Sequence, residues 1–438
     1  MVASGQGADV TIIYNVLKAF ETYYVAQVTI TNHNPTHRID NWRLKWDWTR
    51  QEFIHSIRGA YPTLMEQRGC IFGPQGSFYK DFDFSDVVNC QRTPEIADLP
   101  PDLANNPIKG SNPFCCRNGT ILPPSIELGL SIAAFQLRVY KMPPDLNRSR
   151  IVPPMNWQLN GATYQHYQCG QPVLTEPDTL HESSIGTQMA VVSWTISCWK
   201  KRLEGLARRC CLSYSSFSSN MAIPCPTCAC GCPSAHVQRC NSSASAVPVP
   251  WNALALPFED RTKLKQSTPC GDNCGVSIHW HICSEYDNGW FGRITIFNWD
   301  SADIADWFVT MQMDQAASGI ENVYSFNTTF LEGVNNTIFM HGLSGLNYII
   351  GKKNGGKNSH IPGKQQTVIE FSRRRTPGIN VLGGDGFPTK VTFNGEECSL
   401  PQTLPRFDDH GRIEGLLIAL CCLFLVIVTG IISVRVLT

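Results

Sequence analysis

Tyr24–Asn32 reads YVAQVTITN, and Trp290–Asn298 reads WFGRITIFN. Both follow one pattern: aromatic-x-x-x-Val/Ile-Thr-Ile-x-Asn. Ten residues after the first stretch stands Trp42, and nine after the second stands Trp307. Each opens an alternating run, WRLKWDW over Trp42–Trp48 and WFVTMQM over Trp307–Met313. Both copies also close alike, with Asn160-Gly161 before Cys169 and Asn394-Gly395 before Cys398. A pattern held over this length marks a duplicated supersecondary unit. The chain therefore reads as two related modules, with cores over roughly 8–175 and 270–400.

Both modules read as β-rich. Gln27–Thr31 and Arg293–Phe297 alternate apolar with polar, the half-buried strand signal. Thr337–Met340, Asn347–Ile350, Thr367–Phe371 and Lys390–Phe393 are similar, with Gly, Pro or Asn between them. Short strands between turn residues predict sandwich-like modules in a mostly β chain. Helical signals are sparse; Arg50–Ile57 suits one or two turns. In full, the first module runs 8–197, a Cys-rich segment 198–240, a Ser/Ala/Pro linker 241–269, and the second module 270–400. A spacer follows at 401–412 and a hydrophobic tail at 413–438.

Cysteine usage points outside the cell. Of 19 cysteines, two (Cys421 and Cys422) lie in the tail. The densest cluster is Cys210, Cys211, Cys225, Cys228, Cys230, Cys232 and Cys240. In reducing surroundings that spacing suits zinc; in an oxidising compartment it suits disulfides, and that is the reading taken. The adjacent pairs Cys115-Cys116 and Cys210-Cys211 are expected to bond to different partners. Five Asn-x-Ser/Thr triplets, at Asn118, Asn147, Asn241, Asn327 and Asn335, fit a secreted, N-glycosylated chain. The tail run Leu416–Ile432 (LLIALCCLFLVIVTGII) carries no charge. It reads as a GPI attachment signal, with Asp409 as the attachment residue, or else as one short membrane span. MVASGQGADV at the start has no apolar leader, so a further front segment is expected in the natural protein.

With 36 basic and 36 acidic residues, the net charge is zero, which leaves no electrostatic footprint for nucleic acid. No Gly-x-Ser-x-Gly or His-Glu-x-x-His motif is present. Gly351–Asn358 approaches a P-loop but has Asn358 where a hydroxyl is needed. His279 and His281 share one side of a strand and are compatible with a metal pair or with ordinary packing. Asp303 with Asp306, and Glu396 with Glu397, are near in sequence, which does not supply the gap that glycoside cleavage needs. The chain reads as no enzyme, with no cofactor and no metal.

The WRLKWDW run has strict period two, so Trp42, Leu44, Trp46 and Trp48 share a face. That face is either an aromatic platform for sugar rings or a sandwich core. In the second copy the matching residues are Trp307, Val309, Met311 and Met313, which fill cores and offer no flat stack, favouring the core. Tyr61, Phe78, Tyr79, Trp157, Trp251, Trp290 and Trp299 are the other aromatic candidates for a glycan.

Several stretches together resemble the plant COBRA-like proteins, in their longer subgroup. They are DNWRLKWD at Asp40–Asp47, PFCCRNGTILP at Pro113–Pro123, VYKMPPDLN at Val139–Asn147 and CCLS at Cys210–Ser213. PCPTCACGC at Pro224–Cys232, CGDNCGVS at Cys270–Ser277 and GGDGFPTKVTFNGEEC at Gly383–Cys398 join them. The resemblance implies a GPI-anchored glycoprotein on the outer face of the plasma membrane and in the cell wall. It implies binding of cellulose or a related β-glucan and ordering of cellulose microfibrils during directional growth. It carries Trp42, Trp46 and Trp48 over as glycan contacts, to which Trp157 and Trp290 are added as candidates. The alternative expectation is a surface recognition protein in tip growth, with a protein ligand.

Overall fold

The computed structural model describes residues 7–147, 150–162, 165–177, 179–182, 186–201, 210–224, 275–331, 334, 336–351 and 362–405. The chain divides after Leu206 into two units. The first holds β1 (Val10–Ala19), β2 (Tyr23–Asn32), β3 (Arg43–Asp47), β4 (Phe53–Arg58), β5 (Ala60–Pro62), β6 (Glu95–Asp98) and β7 (Ile132–Tyr140). It continues with β8 (Met155–Asn160), β9 (His166–Cys169), β10 (Val173–Thr175), β11 (Thr179–Glu182), β12 (Gly186–Met189) and β13 (Val192–Lys200). Two one-turn helices, α1 (Arg68–Phe72) and α2 (Pro74–Phe78), sit in the β5–β6 connection. The main sheet runs β4-β7-β2-β1-β13-β9-β8-β3-β6-β5, with β10 also on β13. It packs on itself: Trp42, just before β3, stacks on Phe135 of β7 at 5.9 Å, and Trp157 of β8 meets Tyr14 of β1 at 5.8 Å.

The second unit holds β14 (Cys210–Ser216), β15 (Ser219–Pro224), β16 (Val276–Tyr286), β17 (Gly289–Asn298), β18 (Ile304–Ala305), β19 (Phe308–Gln312) and β20 (Ile320–Val323). Then come β21 (Phe326–Phe330), β22 (Thr337–Gly342), β23 (Tyr348–Ile349), β24 (Gly363–Ser372), β25 (Lys390–Phe393) and β26 (Glu396–Glu397). One sheet runs β15-β14-β16-β17-β24-β20, a second β21-β22-β19-β25-β26, and β18 pairs with β23 by itself. Their inner faces form one core that includes Trp280, Trp290, Ile294, Trp307, Val309 and Met311.

The duplication is visible strand by strand. The order β4-β7-β2-β1 in the first unit matches β20-β24-β17-β16 in the second, and β9-β8-β3-β6-β5 matches β26-β25-β19-β22-β21. The Asn that ends each repeated stretch does the same job twice. Asn32 Nδ2 donates to the carbonyls of His37 and Leu122, and Asn298 Nδ2 to those of Ala302 and Ile349. Each Oδ1 accepts the backbone N–H two residues on, from Asn34 and from Asp300. A short amide side chain closing an Asx turn stops the strand and satisfies the carbonyls of the facing loops.

Two expectations are corrected. Phe53–Arg58 lies in a helical expectation but is strand β4, because it pairs with β7 along its length. Of the segment expected to be Cys-rich, Cys198–Lys200 belong to β13 of the first sheet and Cys210–Ser216 form β14 of the second, and its remainder beyond Pro224 lies outside the described residues. Cys115 and Cys116 bond to each other, not to separate strands. Cys210 does reach a distant partner, Cys398, while Cys70 pairs with Cys90 and Cys169 with Cys198. Cys225, Cys228, Cys230, Cys232 and Cys240 lie outside the described residues.

Trp46 is fully buried between Trp48 and Trp157, at ring distances of 5.5 and 5.0 Å. Trp46→Ala leaves an indole-sized gap there and is expected to cost about 3–5 kcal/mol of unfolding free energy, read by urea denaturation. A variant that unfolds at the wild-type urea midpoint would show that this face is not core.

Candidate functional site

The five tryptophans expected to touch glycan are all interior. Trp42, Trp46, Trp48, Trp157 and Trp290 are 0–3% exposed. Trp290 lies flat on Phe371 at 3.9 Å, and Trp157 Nε1 donates to the Pro154 carbonyl at 2.8 Å. Rings enclosed in this way present no face to a sugar in this structure, so the platform expectation is corrected to core. Trp299 is buried too, its Nε1 donating to Ser277 Oγ. Tyr61 and Phe78 are exposed, and Trp251 lies outside the described residues. Asn118, Asn147 and Asn327 are at the surface, while Asn241, Asn335 and the Asp409 attachment position lie outside the described residues.

Alternation that sends those indoles inward sends other side chains out. On the outer face of β1-β2-β7-β4 the register sets Tyr23 opposite Tyr140, Val25 opposite Arg138 and Gln27 opposite Gln136. Phe20, in the β1–β2 turn, stacks on Tyr23 at 4.5 Å, and Tyr23 stacks on Tyr140 at 5.4 Å. All three rings are half-buried, and their near-parallel stacking leaves mainly edges and the two tyrosine hydroxyls toward solvent. Tyr140 rests on Phe53 at 5.2 Å, and Tyr79 locks the adjacent corner by donating its hydroxyl to the Lys141 carbonyl at 2.7 Å. The Arg138 guanidinium sits 5.5 Å from the Tyr23 ring centre, and Gln136 donates to Gln27. Burial pushes the Tyr79 phenol up to about 12 and the Tyr140 phenol upward, so both stay neutral donors. Fixed, flat rings beside amides and a cation are the chemistry that grips a pyranose chain. The signal was in the sequence: Tyr23 has the parity of Val25 and Gln27, the polar side of YYVAQVTITN.

A second cluster surrounds the histidine pair. Ser215 Oγ of β14 lies 2.8 Å from His279 Nε2 and 2.7 Å from His281 Nδ1, both on β16. The ring centres are 6.1 Å apart. Burial first, then the neighbouring His281 and Arg293, lower the His279 pKa to about 3; burial, then Arg293, lower that of His281 to about 4. Among the described residues no group of three or more His, Cys, Asp and Glu is placed to hold a metal. Asp303 accepts the Gly351 backbone N–H at 2.7 Å, and Glu397 is 3.8 Å from Lys390. The Arg373–Arg375 cluster is engaged locally: Arg373 pairs with Glu285, and Arg375 donates to the Ile320 carbonyl.

Comparison with known proteins agrees with this two-unit architecture. Residues 24–201 match the model of the COBRA N-terminal domain, and residues 209–405 that of the COBRA family C-terminal domain. The chain is 48% identical over 441 residues to COBRA-like protein 7 of Arabidopsis thaliana, covering 96% of this chain and 67% of that protein. It is 47% identical over 433 residues to COBRA-like protein 9 of the same plant, covering 94% and 65%. COBRA-like protein 2 of Oryza sativa subsp. japonica is 28% identical over 407 residues, covering 90% and 82%. The chain thus spans about two thirds of the length of the two Arabidopsis relatives.

Neutral, hydrogen-bonded imidazoles fix a pH dependence. The unfolded chain takes up their protons near the ordinary value of 6.5, the folded one only near 3 to 4. Folding stability is therefore lost as pH falls from about 6.5 toward 3. His279→Gln is expected to remove on the order of 2 kcal/mol of the loss between pH 7 and pH 4, seen as a flatter melting temperature against pH. Parallel curves for variant and wild type would contradict this.

Proposed function

The chain belongs to the COBRA family, and from that premise we propose that it is a non-catalytic protein of the outer plasma membrane and cell wall that holds cellulose or a related β-glucan. In this reading a GPI anchor at Asp409 tethers it, and many tethered copies help lay microfibrils in order during directional growth. The observation that carries the reading is the outward row Phe20–Tyr23–Tyr140, with Arg138, Gln27 and Gln136 around it. Two further features support it. Four disulfides among the described residues need an oxidising compartment, and three sequon asparagines are open to solvent. Single sugar contacts are weak, but an array of copies on one membrane multiplies them.

A protein ligand in tip growth is the second reading. What favours it is the apolar ridge of the helical insert, where Leu64, Met65, Ile71 and Phe72 are exposed, Phe72 to 85%. Such a patch suits a protein surface better than a hydrated polysaccharide.

A cellulose pull-down of the full-length chain tests the first reading. Tyr23→Ala should weaken retention about fivefold, the worth of roughly 1 kcal/mol of ring contact, while Phe72→Ala leaves it unchanged. Retention lost only in Phe72→Ala would turn the reading to the protein ligand. Phosphatidylinositol-specific phospholipase C should release the protein from membranes; its persistence there would refute the anchor.

A further inference from the structure

We propose that the outward face of the six-stranded sheet in the second unit is a sugar site of its own, taking a neutral β-glucan chain on Tyr286, Phe291, Asn322, Tyr324 and Glu370. The ligand class rests on the β-glucan reading above; the site rests on its own geometry.

Register puts Ser284, Phe291, Glu370 and Asn322 side by side across β16, β17, β24 and β20. Their neighbours along the strands, Trp290 and Phe371, point into the core, so Phe291 and Glu370 point out. The Glu370 carboxylate is held from both sides. Its Oε2 accepts from Asn322 Nδ2 at 2.8 Å and from the Tyr324 hydroxyl at 2.9 Å, and its Oε1 from the Tyr286 hydroxyl at 3.3 Å. These donors, Asn322 first, hold its carboxyl below the ordinary range, so it is ionised. An ionised carboxylate has about four acceptor positions, and three are filled here by side chains. The last is open to a hydroxyl from solvent or ligand.

A Cβ at position 289 would run first into the Phe371 backbone carbonyl and would also stand 2.8 Å from the Tyr286 hydroxyl, so the β17–β24 pairing requires Gly289 and the Tyr286 ring crosses the sheet above it. Tyr286 lies 5.5 Å from Phe291, while Tyr324 is 60% exposed at the far end. Three rings therefore line a strip crossing the strands at about 4.8 Å per strand, with a fixed acceptor in its middle.

Charge chooses the ligand. Phe291 and Val25 hold the same place in the repeated stretch. Across from Val25 stands Arg138; across from Phe291 stands Glu370. The corresponding faces thus carry opposite charges. The groups that lower the Glu370 carboxyl are the neutral Asn322, Tyr324 and Tyr286, and Arg373 is paired with Glu285. A uronic-acid chain would meet an uncompensated carboxylate, whereas a neutral glucan offers hydroxyls to it and apolar ring faces to the aromatics.

The test is isothermal titration of the full-length chain with cellohexaose, with trigalacturonate as the acidic comparison and melting temperature as the fold control. Wild type should titrate as two sites. Tyr324→Ala and Glu370→Ala should each weaken one site about tenfold, Tyr324→Phe less, and Tyr23→Ala should remove the other. Tyr324→Ala and Glu370→Ala indistinguishable from wild type, with Tyr23→Ala impaired, would overturn this site and leave the function standing. Wild type failing to bind cellohexaose would overturn the function itself. Trigalacturonate binding that drops in Tyr324→Ala would overturn the neutral ligand class.

Discussion

Burial of the indoles at Trp42, Trp46 and Trp48 is the interaction on which the first unit depends. It is not free of cost. Their Nε1 groups have no hydrogen-bond partner among the described residues, and an unmet buried donor costs about 1–3 kcal/mol. Each ring, however, removes about 150–250 Å² from water, worth about 4–6 kcal/mol at 25 cal/mol per Å². Apolar burial wins on that comparison, and it wins three times on one strand face. The strict alternation follows: once that face is committed inward, Arg43, Lys45 and Asp47 have to face out. Glu95 on the next strand then pairs with Arg43 and Lys45.

Much of this was legible. Period two marked the strands, the repeat marked two modules, and valine and methionine in the second copy marked the tryptophan face as core. The aromatic row Phe20–Tyr23–Tyr140 is not legible along the chain, because it is spread over a turn and two strands distant in sequence. Only the pairing of β2 with β7 brings Tyr23 to Tyr140. Strand β4 departs from its local pattern for a related reason. Phe53–Ile57 has little internal alternation, and what makes it extended is β7 beside it, a tertiary override of local pattern. The Cys115–Cys116 bond was invisible because neighbouring cysteines usually point apart. Here Phe114, Cys116 and Asn118 all have positive φ. The buried Asp98 carboxylate accepts the backbone N–H groups of Cys116, Arg117 and Gly119, fixing that loop.

The strand beside β1 and β16 shows which parts of a duplicated fold are negotiable. In the first unit that position is taken by β13, which follows the module and runs antiparallel to β1. In the second it is taken by β14, which precedes the module and runs parallel to β16. Without an added strand, β1 and β16 would each present an open edge of backbone donors and acceptors. Either direction satisfies those groups, so the chain supplies whichever segment is at hand. The disulfide follows the strand: Cys169 ties to Cys198 in β13, and Cys398 to Cys210 in β14. Repeat cysteines at matching places therefore have partners that the repeat itself does not contain.

Inside and outside are consequently constrained differently in the two copies. Inward positions stay apolar, Trp42 with Trp307, Leu44 with Val309, Trp46 with Met311 and Trp48 with Met313, and the Asn at each strand end keeps its two carbonyls. Burial holds them apolar, while each core repacks around its own volumes. Outward positions answer to no neighbour above them, so Arg138 and Glu370 stand in corresponding places with opposite charge. A face that packing leaves alone can be shaped only by what it meets in solution. Yet the Tyr286 ring lies over Gly289, and three donors from two segments converge on Glu370. Order of that kind on an open surface costs side-chain entropy and adds little to stability, and that imbalance points to a ligand.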